Sequence, residues 1–338
     1  MRSHLLGPCW FLAALLLTAP RLSAVDMEMV PVGNPGNAAD TRHDPTGFGA
    51  VPYVYTIGKY EVTNGQYREF LNAKATVGDP FGLYNELMTS SYGGIQRIGL
   101  GTDESPWTYL PKDFDPIYDL WPVNFVSVWD AARFANWLHN GQGDGDTEQG
   151  TYVGLDDETV FARQPGARFA LPTENEWYKA AYYDPDKPGG PGYWEYPTRT
   201  DDRPSGDAPP GADFVRGSAN HGTSALFPVG AYTAKPSTSA YGTYDQGGSL
   251  WEWNETFVLG DFFGLRGGSF DNIYGLDAAH QDSYPAFFEN RIMGFRLVGA
   301  AVPEPSTLAL AAMCALCGAA IAGRARKRSH RTGALNQL

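Results

Sequence analysis

Glycine and proline interrupt this chain so often that no segment keeps one apolar period for long. The 338 residues include 40 glycines and 25 prolines; the first favour left-handed turns and the second remove a backbone donor. Three of the few helical runs open with the same signature, a Ser or Thr followed three residues later by an acid or amide. They are "TNGQYREFLNA" (Thr63, Gln66), "SVWDAARFANWL" (Ser127, Asp130) and "TENEWYKAAYY" (Thr173, Glu176), and each predicts a short amphipathic helix. The predicted strands are short too: Tyr53 to Val62, Arg168 to Pro172, Leu265 to Phe270 and Gly294 to Val298. Elaborated loops are expected at Leu83 to Trp121 and Tyr183 to Asp213. With 43% hydrophobic and 14% aromatic residues there is ample material for a core, so the expectation is a loop-rich α+β domain over residues 25–300, with no internal repeat or linker.

Both ends read as address labels. Residues 1–24 have Arg2 and His4 ahead of an apolar run from Leu5 to Ala19, then small residues at Ser23 and Ala24. This is a secretory signal pattern with cleavage expected after Ala24. The other end carries "VPEPS" (Val302 to Ser306), an apolar run from Leu308 to Ala322 and the basic cluster Arg324, Arg326, Lys327, Arg328 and Arg331. That run is about 15 residues long, against about 20 for a bilayer span. The order of these three parts resembles the PEP-CTERM sorting signal of Gram-negative bacteria. The resemblance implies recognition and removal of residues 301–338 by an exosortase, transient membrane association through residues 308–322, and delivery to the cell surface or extracellular matrix. A plain membrane helix with cytoplasmic basic residues is the alternative reading. Either one places residues 25–302 outside the cytoplasm.

The formal net charge is −13, and the exported part is more acidic still because the basic cluster lies in the tail. Nucleic acid is excluded as a partner, since neutralising phosphate needs a basic surface. All three cysteines, Cys9, Cys314 and Cys317, fall in the end segments. The exported part therefore forms no disulfide and offers no thiolate to a metal or a substrate. In "HNGQGDGDTEQG", Asp144, Asp146 and Glu148 alternate as calcium-loop ligands do, but the distant bidentate Glu is missing; a solvated acidic loop is the competing reading.

Taken in order, "YEVTNGQYREFL", "PVNFVSVWDAARFANWL", "ARFALPTENEWYKAAYY", "YGTYDQGGSLWEWNE", "LRGGSF" and "GFRLV" form a series that resembles the sulfatase-modifying-factor family, the formylglycine-generating enzymes and their relatives, over residues 28 to 299. The resemblance implies an elaborated, duplicated C-type lectin-like fold with bound calcium. It also locates a reaction site. Formylglycine-generating enzymes oxidise a substrate cysteine with copper and oxygen through two cysteines, three and eight residues after the serine of "GGS". Here that serine is Ser269, and the two positions hold Asn272 and Asp277. Copper(I) needs soft thiolates, which an amide and a carboxylate cannot replace, so neither copper nor that reaction is expected. Ser269, Asn272, Asp277, Trp251 and Arg266 remain as the expected lining of a cleft.

Other chemistry finds little support in the sequence. Asp277, His280, Asp282 and Glu289 are the nearest hard ligands for iron or copper(II), but nothing gathers them into a facial triad. The related ergothioneine-type iron enzymes carry their iron histidines on an extra helical domain in an H-x3-H-x-E pattern, and neither feature occurs here. Ser269 lacks a G-x-S-x-G elbow and a neighbouring histidine, so its hydroxyl is expected to tie down a turn. For calcium, the resemblance implies one ion at Asn220 and the carbonyl of His221. It implies a second at the asparagine and glutamate of "GN-x-WEW", where Ser249 replaces the asparagine and Glu252 is kept. "SLWEWNE" also reads as a core strand with its tryptophans on opposite faces, and Arg266 and Arg296 read as partners of buried carboxylates. Two functions follow as expectations. One is a non-catalytic exported module that binds a peptide or polysaccharide with its 9 Trp and 19 Tyr. The other is a metal-dependent oxidase with non-cysteine ligands; a purely structural matrix role is a third, and it predicts no pocket.

Overall fold

The structure, a computed structural model, describes residues 24–234 and 237–299. The signal segment and the sorting tail lie outside the described residues. The three predicted helices are α1 (Asn64–Lys74), α2 (Val128–His139) and α3 (Glu174–Tyr182), and each starts at a complete capping box on Thr63, Ser127 or Thr173. Each box satisfies two otherwise orphaned N–H groups, and losing its cap residue costs about 1 kcal/mol.

Amphipathic faces are found only on α1. Every residue of α2 from Val128 to Leu138 is buried, and α3 buries all but one of its nine. The polar residues of α2 are covered because the acidic stretch after it folds back over the helix. Arg133 pairs with Glu148 at 2.9 Å and with Asp156. Asn136 donates to the carbonyls of Thr147 and Tyr152, and Asn140 to those of Asp146 and Gln149. Asp146 in turn accepts from the N–H groups of Glu148 and Gln149. These acids serve the helix and their own turn.

Two four-stranded sheets organise the rest. The first runs in the order Met29–Val32, Tyr55–Gly58, Val298–Gly299, Phe169–Ala170, with antiparallel neighbours, so the two ends of the domain share one sheet. The second runs Asp282–Pro285, Phe262–Arg266, Trp251–Leu259, Met293–Gly294, and its last pair is parallel. Between them lies an aromatic core in which Phe134 sits 5.5 Å from Phe70 and 5.7 Å from Phe295, ring to ring. Such rings carry much of the burial energy of a domain.

The strands are shorter than the sequence suggests, for physical reasons. The run from Tyr53 keeps its ladder only to Gly58, because the carbonyls of Gly58 and Lys59 accept from the Arg296 guanidinium instead. "LRGGSF" stops being a strand at Arg266, where Gly267 (φ 104) and Gly268 (φ 73) take left-handed backbone. "GFRLV" divides between the sheets: Gly294 pairs with Glu252 in one, and Val298 with Ile57 in the other. Within the expected loops, Ile95–Ile98 pairs with Thr108–Pro111 and Tyr183–Asp184 with Gly192–Tyr193.

Candidate functional site

The site is built on the strand Trp251–Leu259, whose neighbouring side chains serve two sides. Residues two apart in a strand share a face, so Trp251 and Trp253 lie together and Glu252 takes the opposite face, contrary to the sequence expectation. On that face Glu252 is fully buried and accepts from Arg296 Nε at 2.5 Å, Arg296 Nη2 at 2.6 Å and Trp177 Nε1 at 2.8 Å. A bidentate charged pair of this kind is strong and fixes geometry. Burial works against the Arg296 charge, but the Glu252 carboxylate outweighs it and holds the pKa above its usual value. Arg266 is buried likewise: it pairs with Glu174 at 2.6 Å and donates to the carbonyls of Ala278 and His280.

Two more carboxylates gather round Arg296, and sequence reasoning missed both. Glu61 accepts from Ser249 Oγ at 3.0 Å and from Leu250 N at 3.1 Å, and burial together with the charges of Glu252 and Asp245 pushes its pKa well up. Burial also raises Asp245 to about 6. Arg296 is the cation that offsets this cluster, and burial favours the protonated forms of Glu61 and Asp245.

On the other face, Trp251 meets the loop after "RGG". Trp251 Nε1 donates to Asn272 Oδ1 at 3.0 Å, and Ser269 Oγ donates to the same oxygen at 2.7 Å. Gly275 makes room for the indole: a Cβ there would lie 2.3 Å from the ring, and its φ is 91. Ser269, Asn272 and Trp251 are thus one bonded unit, whereas Arg266 is locked beneath and Asp277 enters no hydrogen bond with the other three. His280, which the sequence offered only as a metal donor, stands between Trp251 and Tyr274 at ring distances of 5.8 and 5.6 Å. Beside it Ile273 and Tyr274 are 64% and 52% exposed, an apolar rim that no sequence pattern announced.

The side chains expected to hold calcium, those of Asn220, Ser249 and Glu252, are engaged elsewhere. Ser249 turns its hydroxyl to Glu61 rather than toward Glu252, and stands at φ 60, a left-handed position that asparagine tolerates better. Asn220 donates to Ala225 O and accepts from Thr223 Oγ1. Of His221 the sequence expectation is the carbonyl; its ring is occupied separately, with Nε2 donating to Pro204 O and burial lowering its pKa. The pair Ser249 and Glu252 does not fit a calcium site. Of the hard donors, Glu289 accepts from Asn85 and faces Asp130, apart from the other three. Among the described residues no three His, Cys, Asp or Glu side chains are grouped to hold a metal ion.

Residues 13–301 match the model of the sulfatase-modifying factor enzyme 1-like domain. The chain belongs to this family. A PEP-CTERM protein-sorting motif follows the sulfatase-modifying-factor domain at residues 301–327. A hercynine oxygenase of Mycolicibacterium thermoresistibile is 29% identical over 212 residues, 60% of this chain and 36% of that protein. The chain thus spans little more than a third of the aligned relative's length. Among solved structures, CarF is 22% identical with a TM-score of 0.49, covering 82% of this chain and 99% of that one. PvdO from Pseudomonas aeruginosa is 15% identical with a TM-score of 0.42, covering 81% and 91%.

Proposed function

We propose that this chain is an exported, surface- or matrix-sorted family member whose former reaction site binds an extracellular peptide or glycan. The observation that carries this reading is the double acceptance at Asn272 Oδ1 from Ser269 and Trp251. At the first cysteine position there is an amide whose oxygen accepts two hydrogen bonds, in place of a redox ligand. Around it the Asn272 amide nitrogen, the Asp277 carboxylate and the His280 ring make no hydrogen bond to any described residue, next to the exposed Ile273 and Tyr274. A few open polar groups beside an aromatic rim is the composition of a recognition site. The sorting motif supports export, processing by exosortase-type machinery and placement outside the cytoplasm.

The test is to screen the exported protein on peptide and polysaccharide arrays, with elemental analysis of the same sample. Specific binding, with calcium as the only stoichiometric metal or with none, supports the reading. No binding, together with stoichiometric iron or copper and metal-dependent turnover, overturns it. That second outcome would favour a metal-dependent oxidase with non-cysteine ligands, a reading supported by the similarity to hercynine oxygenase.

A further inference from the structure

In the acidic stretch after α2, the Gln142 side chain serves neither the helix nor its own turn. Gln142 Oε1 accepts from the backbone N–H of Val25 at 2.7 Å, and Gln142 Nε2 donates to Val25 O at 2.9 Å. The contact joins residues 117 positions apart. Gln142 is held for it, with its backbone at φ 67 and its N–H on Trp137 O at 2.9 Å. From Val25 onward the chain is anchored almost residue by residue. Val25 and Met27 pack on the core. Asp26 O accepts from Gln66 Nε2, while Gln66 Oε1 closes the α1 capping box. Glu28 O accepts from Lys59 N. Ala24, one residue earlier, is exposed.

We propose that Gln142 is the receptor for the mature amino terminus, created when the signal is removed between Ala24 and Val25. Hydrolysis breaks the bond from the Ala24 carbonyl carbon to the Val25 nitrogen. Water supplies the hydroxyl to the Ala24 carboxyl group and a hydrogen to the Val25 nitrogen, which takes a further proton from solvent. The nitrogen that donated as an amide then donates as an ammonium to the same Gln142 oxygen, and charge-assisted bonds are the stronger ones. The stretch that supplies Gln142 also carries Asp144, Asp146 and Glu148, so the loop that receives the new positive charge is itself acidic. Processing thereby tightens the junction of the first strand, α1 and the loop over α2. This inference rests on the signal reading and is independent of the binding site proposed above.

Three measurements test it. The exported protein should begin at Val25 by intact mass and amino-terminal sequencing; a start at any later residue overturns the proposal. Protein beginning at Val25 should melt about 2–4 °C above a preparation with one extra alanine ahead of Val25, a gap that corresponds to one charge-assisted contact in a domain of this size. Gln142→Ala should abolish that gap and Gln142→Glu, which places a carboxylate opposite the ammonium, should widen it. Equal melting of the two preparations with Gln142 in place, or an unchanged gap in Gln142→Ala, overturns the proposal.

Discussion

The two faces of the strand Trp251–Leu259 have had different fates. Behind it, Glu252 has three donors and no exposure. In front, Trp251 and Ser269 share one amide oxygen, and the polar groups beyond it are half-buried beside the exposed Ile273 and Tyr274. The rear face supports everything near it: Arg296 ties the first sheet to the second through Gly58, Lys59, Tyr244 and Glu252. Removing any member would strand a buried charge. The front face carries no such penalty, so substitutions at Asn272 and Asp277 leave the buried charge network intact.

The largest predicted effect breaks the rear face. Arg296→Met should cost about 3–5 kcal/mol, because it leaves Glu252 charged, buried and without its cation. The double variant Arg296→Met with Glu252→Gln should recover part of that loss. Urea denaturation checks both; a single variant within 1 kcal/mol of the parent would mean that the pair contributes little to the fold.

Next in size is a dependence on pH opposite in sign to that of most acidic proteins. Asp130 lies wholly inside α2, and burial, aided by the charge of Glu289, raises it from 3.8 to about 7 despite its bonds to Ser127. The folded state then holds this proton more tightly than the unfolded state does. The stability it contributes is complete below the unfolded value of 3.8 and is lost as pH rises through about 7. Asp245, raised to about 6, acts in the same direction. The Asp130 share of stability should therefore fall between pH 4 and pH 7.5 by roughly 4 kcal/mol, at about 1.4 kcal/mol per unit of pKa. Asp130→Asn should flatten that slope, and urea midpoints at several pH values would show it.

How much of this was legible in the sequence depends on how far apart the partners lie. The capping boxes at Thr63, Ser127 and Thr173 join residues three apart and could be read directly. The pairing of Arg266 and Arg296 with buried carboxylates could be anticipated from their strand context, but not that Glu174 and Glu252 would be the partners, 92 and 44 residues away. Glu61 meets Ser249 across 188 residues, and no local pattern marks it. The same limit hid the covering of α2: its sequence shows polar residues at helical spacing, and only the fold-back of residues 140–150 makes them interior. In the candidate site, the expectation at Asn272 and Asp277 came from the family motif, and the structure joins only Asn272 to Ser269 and Trp251. The rim of Ile273, Tyr274 and His280 was not legible, since it depends on how the loop sits on Trp251.

The smallest effects on stability sharpen the front face. Asn272→Ala removes the acceptor shared by Ser269 and Trp251, and the indole nitrogen belongs to a side chain only 3% exposed. It should cost about 1–3 kcal/mol, the range for leaving a buried donor unpaired. Tyr274→Ala, at a residue more than half exposed, should stay within about 0.5 kcal/mol of the parent. If the front face is a recognition surface, the two variants must separate stability from binding. Tyr274→Ala should lose array binding with its melting point unchanged, while Asn272→Ala loses stability first. A Tyr274→Ala protein that binds as the parent does would move recognition off this loop and leave Asn272 as the tie of a turn, because a contact surface cannot lose its most exposed ring without consequence.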